Sequence, residues 1–118
     1  MTPQEMRNAY KQINPLIEDV IDAWAFGVDP DLLAELVFTG EKTATASAYD
    51  LYALEDEPLP QEGTFDVILD SKDQAVCIIE ITKVSVQPFY QVSADHAYKE
   101  GEGDKSLAYW RQVHEEFF

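Results

Sequence analysis

The run Ala75–Val86 (AVCIIEITKVSV) constrains the fold more than any other part of the chain. It is rich in β-branched residues, contains no glycine or proline, and is closed by Pro88. Such a run reads as a strand. A strand needs a hydrogen-bonding partner, because buried backbone groups are not left unpaired. Thr64–Leu69 supplies one, and the Asp70–Asp73 segment (DSKD) between them reads as their turn. The chain therefore contains a sheet.

Helical patterns flank it. Across residues 4–26, Ile13, Leu16, Ile17, Val20, Ile21 and Trp24 recur at three- and four-residue spacing, which predicts a helix with one apolar stripe, interrupted or restarted at Pro15. Asp29 is placed to cap a second helix, with Pro30 at its first position. Leu32, Leu33, Leu36 and Val37 form its apolar face, and Gly40 stands where a C-terminal glycine belongs. Ala48–Leu54 reads as a short helix. Ser93 is placed to cap another through Tyr98, and Asp104 or Ser106 to cap a last one ending near Phe118. Glu55–Gly63 and Lys99–Lys105 read as loops. The predicted class is α+β, a small sheet or barrel with terminal helices.

With 118 residues the chain suffices for one domain and not for two. It carries 23 acidic against 8 basic side chains, a net charge of −15. That charge repels phosphate backbones and anionic membranes at long range, so tight binding to long nucleic acid and membrane association are not expected. The single cysteine, Cys77, suits a reducing, cytoplasmic setting. The N-terminal MTPQEMRNAY lacks the apolar core of a signal peptide.

Phe38–Ser47 (FTGEKTATAS) is the stretch with chemical interest. A phosphate loop needs G-x-x-x-x-G-K-[ST] between a strand and a helix, and neither this segment nor Gly101–Ser106 fits. Lys42 sits among small residues that leave room for a ligand or a facing carboxylate. It reads either as a functional lysine, activated by desolvation, or as a solvated lysine at a strand start. Glu80 shares a predicted strand face with Val76, Ile78, Thr82 and Val84. It is either paired, or lies on an exposed sheet face. The two residues are able to satisfy each other. In the last helix, Leu107, Trp110, Val113 and Phe117 read as core, whereas Ser106, Tyr109 and Arg111 face elsewhere. His96 and His114 have no metal-ligand spacing, and no metal or other cofactor is expected.

These residues resemble a family. Gly40-Glu-Lys42-Thr-Ala-Thr45 is similar to the G-x-K-x-x-T signature of the ASCH domain, a relative of the PUA RNA-binding fold. Trp24–Gly27 (WAFG), the Glu80 strand and Ala97–Arg111, followed by His114 and Phe117-Phe118, resemble one branch of that family in order. The resemblance covers residues 24–118. It implies one domain over 1–118 with 1–23 as an N-terminal helical extension. It implies a strongly bent PUA-like β-barrel, with Lys42 at the mouth of its first strand. It also implies an RNA- or nucleoside-related ligand. Some members resemble amidohydrolases of acylated cytidine, and others are ribonucleases. Lys42, Thr45 and Glu80 then hold the catalytic positions: Lys42 as nucleophile or base, Glu80 as proton shuttle, Thr45 to hold an intermediate or orient the lysine. Gly40, Thr43, Ser47, Ser106, Tyr109 and Arg111 fall at ligand-binding positions. A regular strand turns Lys42 and Thr45 to opposite faces, so a bend is required between them. A hydrolase of a modified nucleoside or short RNA, a non-catalytic RNA-binding module, and a regulatory domain without a working site are the readings to separate.

Overall fold

The computed structural model describes residues 1–19 and 21–117. They form two compact units: Met1–Phe38 with Pro60–Val84, and Thr39–Leu59 with Ser85–Phe118. The architecture is α+β, with an open three-stranded sheet and five α-helices among the described residues.

The first unit holds the sheet, in the order β1 (Asp22–Ala25), β2 (Phe65–Leu69), β3 (Ala75–Glu80). β1 runs parallel to β2, and β3 antiparallel to it. Val67, Ile68 and Leu69 are all buried on the middle strand. Successive strand side chains point to opposite faces, so three buried in a row mean that both faces are covered. α1 (Pro3–Tyr10) and α2 (Pro30–Phe38) pack on β2 and β3, with Ala34 and Ile17 joining the core. Burial raises the pKa of the half-buried Cys77 thiol and so disfavours its reactive thiolate.

The structure departs from the sequence expectation at the N-terminal helix and at the end of β3. The helix predicted over 4–26 stops at Tyr10. Thr2 and Glu5 form a reciprocal capping box at its start, with Pro3 in the first turn. Ile13 and Leu16 are exposed, at 78% and 92%, so the apparent stripe is not a buried face. Trp24 lies on β1 and donates its indole N–H to Asp66 at 2.9 Å. The loop between them is held by buried Arg7. Its guanidinium donates to Glu18 O at 2.9 Å, Ile17 O at 3.4 Å and the Asp19 carboxylate at 3.0 Å. One planar cation thus satisfies carbonyls that a helix would have satisfied, and Pro15 in this loop has no N–H with which to continue one. Among the described residues before Trp24, a short helix and a stapled loop precede β1. Val20 lies outside the described residues.

The strand predicted over Ala75–Val86 ends at Glu80. Its partner β2 begins at Phe65, opposite Glu80, so ladder pairing runs out there. Ile81 N still reaches Thr64 O at 2.8 Å, but Val84 N turns to the Glu62 carboxylate at 3.0 Å.

Pro30 and Gly40 bound α2 where the sequence expects them, whereas Asp29 stands at φ +45°, outside the extended backbone of an N-cap. α2 begins at Pro30, and Gly40 adopts φ +84° beyond its end. In the second unit lie α3 (Tyr49–Leu54), α4 (Ala94–Glu100) and α5 (Leu107–Phe117). Ser93 Oγ accepts from His96 N at 3.0 Å, and Ser106 Oγ from Tyr109 N at 3.1 Å, as N-caps do. Val92, Ala97 and Trp110 form this unit's core, flanked by Ala46, Phe89 and Leu107. The Phe117 and Phe118 side chains lie outside the described set. Among the described residues, no helix is long and apolar enough to cross a membrane.

Candidate functional site

The signature segment is extended without being a ladder strand. From Lys42 to Ser47, Lys42 is buried and Ala44 and Ala46 half-buried, while Thr43, Thr45 and Ser47 are exposed. That is the two-residue period of extended chain. Its backbone bonds go to a helix end. Thr43 N and Ala44 N both donate to Lys99 O, at 2.7 and 3.1 Å. Lys42 therefore does not open a regular strand as expected; it is pressed against the last turn of α4.

Gly101 permits that approach. It caps α4 in the left-handed region at φ +70° and is buried. A Cβ there would stand 2.3 Å from Glu41 O.

The approach delivers the Lys42 ammonium to three oxygens: Glu102 Oε2 at 2.8 Å, Glu100 Oε1 at 3.3 Å and Glu100 O at 3.4 Å. A cation on the last carbonyls of a helix is also favoured by the helix dipole. Side-chain exposure is 2% for Lys42 and 1% for Glu100, against 22% for Glu102. Taking two such charges out of water costs several kcal/mol per ion, so the pair persists only with further hydrogen bonds.

Glu100 has them. His96 Nε2 lies 2.6 Å from Oε2, which also accepts the Trp110 indole N–H, and His114 Nε2 lies 3.7 Å from Oε1. Burial pushes the Glu100 pKa up, but the His96 hydrogen bond, the Lys42 charge, the Trp110 hydrogen bond and the His114 charge together bring it below the usual 4.5. His114 Nδ1 is 2.8 Å from Trp110 O, and a carbonyl only accepts, so Nδ1 carries the proton there. The His114 ring stacks on Trp110 at 4.2 Å, Phe89 covers Trp110 at 5.3 Å, and His96 meets its edge at 5.9 Å. The result is a buried, charged, hydrogen-bonded cluster walled by aromatic rings.

The sequence-predicted residues are distributed around it. Lys42 is its centre. Thr43 Oγ1 turns to Lys99 O at 3.4 Å, and Thr45 is exposed on the opposite side of the segment from Lys42. Ser47 bonds the Tyr52 hydroxyl and lines a cavity of about 100 Å³ with Leu51, Glu55 and Glu57. Gly40 is exposed with open space around it. Ser106 is spent on capping α5, Tyr109 packs its ring on Gly103, and Arg111 donates to Tyr90 O at 3.2 Å. Glu80 is exposed at the end of β3, in the first unit. The buried carboxylate on Lys42 is Glu100.

Glu100, Glu102, His96 and His114 were not among the expected site residues. A signal was present: His96–Glu100 and Trp110–His114 are both four apart on helices, and such pairs share a face. What no spacing shows is that these two faces meet around Lys42.

Comparison with known proteins agrees with this frame. A family model for the ASCH domain matches residues 22–118. An ASCH domain structure from Lactobacillus crispatus is 35% identical and superposes with a TM-score of 0.88, over 98% of this chain and 77% of its own. A protein structure from Enterococcus faecalis is 36% identical, also at TM-score 0.88, over 98% of this chain and 72% of its own. A search of curated proteins finds no match. With its signature lysine seated in a helix-end cluster, and with these likenesses across nearly its whole length, the chain belongs to the ASCH domain family.

Proposed function

We infer that this protein acts on a small RNA-related ligand, a modified nucleoside or a short RNA end, and hydrolyses it at the Lys42–Glu100 cluster. ASCH domains have a PUA-like fold often linked to RNA binding, and the strongly bent barrel of that fold is part of the same reading. The observation that carries it is the cluster itself. A lysine and a glutamate, both almost fully buried, are joined by one histidine hydrogen-bonded to the glutamate and a second 3.7 Å from it. Such an arrangement is costly as a mere staple, and perturbed buried groups concentrate where chemistry occurs.

To serve as nucleophile or base, Lys42 must first give up a proton. Glu100, held below its usual pKa, is too weak a base to take that proton; its Oε1, 3.3 Å away, aims the lysine while the proton passes to the ligand's leaving group, and His96, 2.6 Å from Oε2 and 26% exposed, links Glu100 to the surface. Glu100 thereby takes the place beside Lys42 that the resemblance gives to Glu80. The test is turnover of a panel of modified nucleosides and short RNAs by Lys42→Met, Glu100→Gln and Glu80→Gln proteins whose folding is checked by circular dichroism. Loss in the first two with Glu80→Gln active is expected. Loss confined to Glu80→Gln returns the role to the strand residue, and turnover by folded Lys42→Met overturns the reading.

A second reading, recognition without reaction, is favoured by one fact: two carboxylates already hold the Lys42 ammonium. Binding of the panel without turnover by the wild type selects it.

In either case the ligand is small. Arg7 and Lys42 are buried, and Lys99 is paired with Asp95. With a net charge of −15, few cations remain for a backbone. Binding of a long single-stranded RNA should be weak at physiological salt, with a log–log salt slope of about −0.7 for each phosphate met and no more than about two phosphates met. Tight binding with a slope implying five or more phosphates would contradict this.

A further inference from the structure

Two carboxylates hold Lys42, and they are unlike each other. Glu100 is fixed by His96, Trp110 and His114 as well as by Lys42, and is 1% exposed. Glu102 has the shorter contact, 2.8 Å, yet its side chain is 22% exposed. It also sits between two glycines in the left-handed region, Gly101 at φ +70° and Gly103 at φ +57°. Glycine backbones change conformation at low cost. Glu102 is thus the partner that can leave while Glu100 stays.

We propose that Glu102 occupies the place of an anionic group of the ligand, a phosphate or carboxylate that displaces it from the Lys42 ammonium. This deepens the function proposed above by adding an anion to the ligand's chemistry, and it rests on Lys42 being the ligand's anchor. Glu100 keeps the Lys42 Nζ aimed, and Glu102 covers it until an anion arrives. An oxyanion takes the same 2.8 Å position with the same charge-assisted geometry. A site filled by its own carboxylate nine parts in ten binds its ligand roughly tenfold more weakly than an open one.

The experiment is isothermal titration of wild type, Glu102→Gln and Glu41→Gln with inorganic phosphate, acetate, the four nucleoside 5′-monophosphates and the four nucleosides. Glu41→Gln removes the same charge from an exposed neighbour. Affinity for an anion should rise roughly tenfold in Glu102→Gln, as expected for a site freed of its own occupant. The gain should be absent in Glu41→Gln, and should disappear when Lys42→Met is added to Glu102→Gln in a protein shown to be folded. Phosphate against acetate separates the two anion sources. A Glu102→Gln gain for free phosphate or acetate, with no response to any nucleoside or nucleotide, upholds the anion site and sinks the RNA-related reading. Nucleosides binding as well as their monophosphates, with Glu102→Gln unchanged, does the reverse. An equal gain in Glu41→Gln, or no gain in any variant, overturns the proposal. If Lys42→Met fails to fold, the ammonium resonance of Lys42 in Glu102→Gln replaces it: no shift on adding the anion overturns the proposal equally.

Discussion

A Gly101→Ala protein should lose about 3–5 kcal/mol of stability, because two penalties coincide: a non-glycine residue in the left-handed region and overpacking in a filled space. The methyl group would stand 2.3 Å from Glu41 O and 2.8 Å from Glu41 C, both backbone atoms. No side chain can rotate away. The α4 end or the signature segment must move, and with it the Lys99 O bonds to Thr43 and Ala44. A total stability of 5–15 kcal/mol is typical, so such a loss is visible in any urea titration. Two sister variants grade the effect. Gly40 has φ +84° but open space, so Gly40→Ala should cost only about 1 kcal/mol of backbone strain. Gly103→Ala meets the Tyr109 ring at 2.5 Å, but that side chain is 38% exposed and can swing aside, which places its cost between the two. If Gly101→Ala proves no worse than Gly40→Ala, the segment does not pack on α4 as described.

The second large effect concerns the buried pair. Lys42→Met should destabilise by about 3–5 kcal/mol, since it leaves Glu100 charged and without its cation out of water. Glu100→Leu should cost at least as much, because it strips acceptors from Lys42, Trp110 and His96 together. The double variant should be no less stable than the worse single one, as neither charge is then left alone. Additive losses in the cycle would show that the two groups do not interact.

Acid should reveal the same network. Folding lowers the pKa of Glu100, so its contribution is fully present above the usual 4.5 and is lost as pH falls through the lower folded value. Lys42, His96, Trp110 and His114 face it, and Glu102 shares its Lys42 partner. Wild-type stability should therefore drop as pH falls below about 4.5, and part of that drop should vanish in Glu100→Gln. An unchanged acid limb in the variant would remove Glu100 from the account.

Much was legible along the chain where the determinants are local. Pro30 and Gly40 bound α2, Ser93 and Ser106 cap α4 and α5, and the turn at Asp70–Asp73 joins β2 to β3, each through a few adjacent residues. The order of segments around Lys42 sufficed for the family. The long N-terminal helix failed because a three- to four-residue apolar spacing does not say whether a face is buried. Ile13 and Leu16 fit the spacing and face water, while Arg7, which no pattern marks, binds the carbonyls of Ile17 and Glu18 instead. Lys42 was visible as a candidate, but its partner was not. Glu80 looked suited as a carboxylate among apolar strand residues, whereas Glu100 looked like part of an acidic loop. Sequence determined that Lys42 sits in a small-residue segment able to lie close to another backbone. Only the tertiary structure decided which backbone: the end of α4, 58 positions away, opened by Gly101. Charge pairing at that range depends on where helices stop and which faces meet, and no local spacing carries that information.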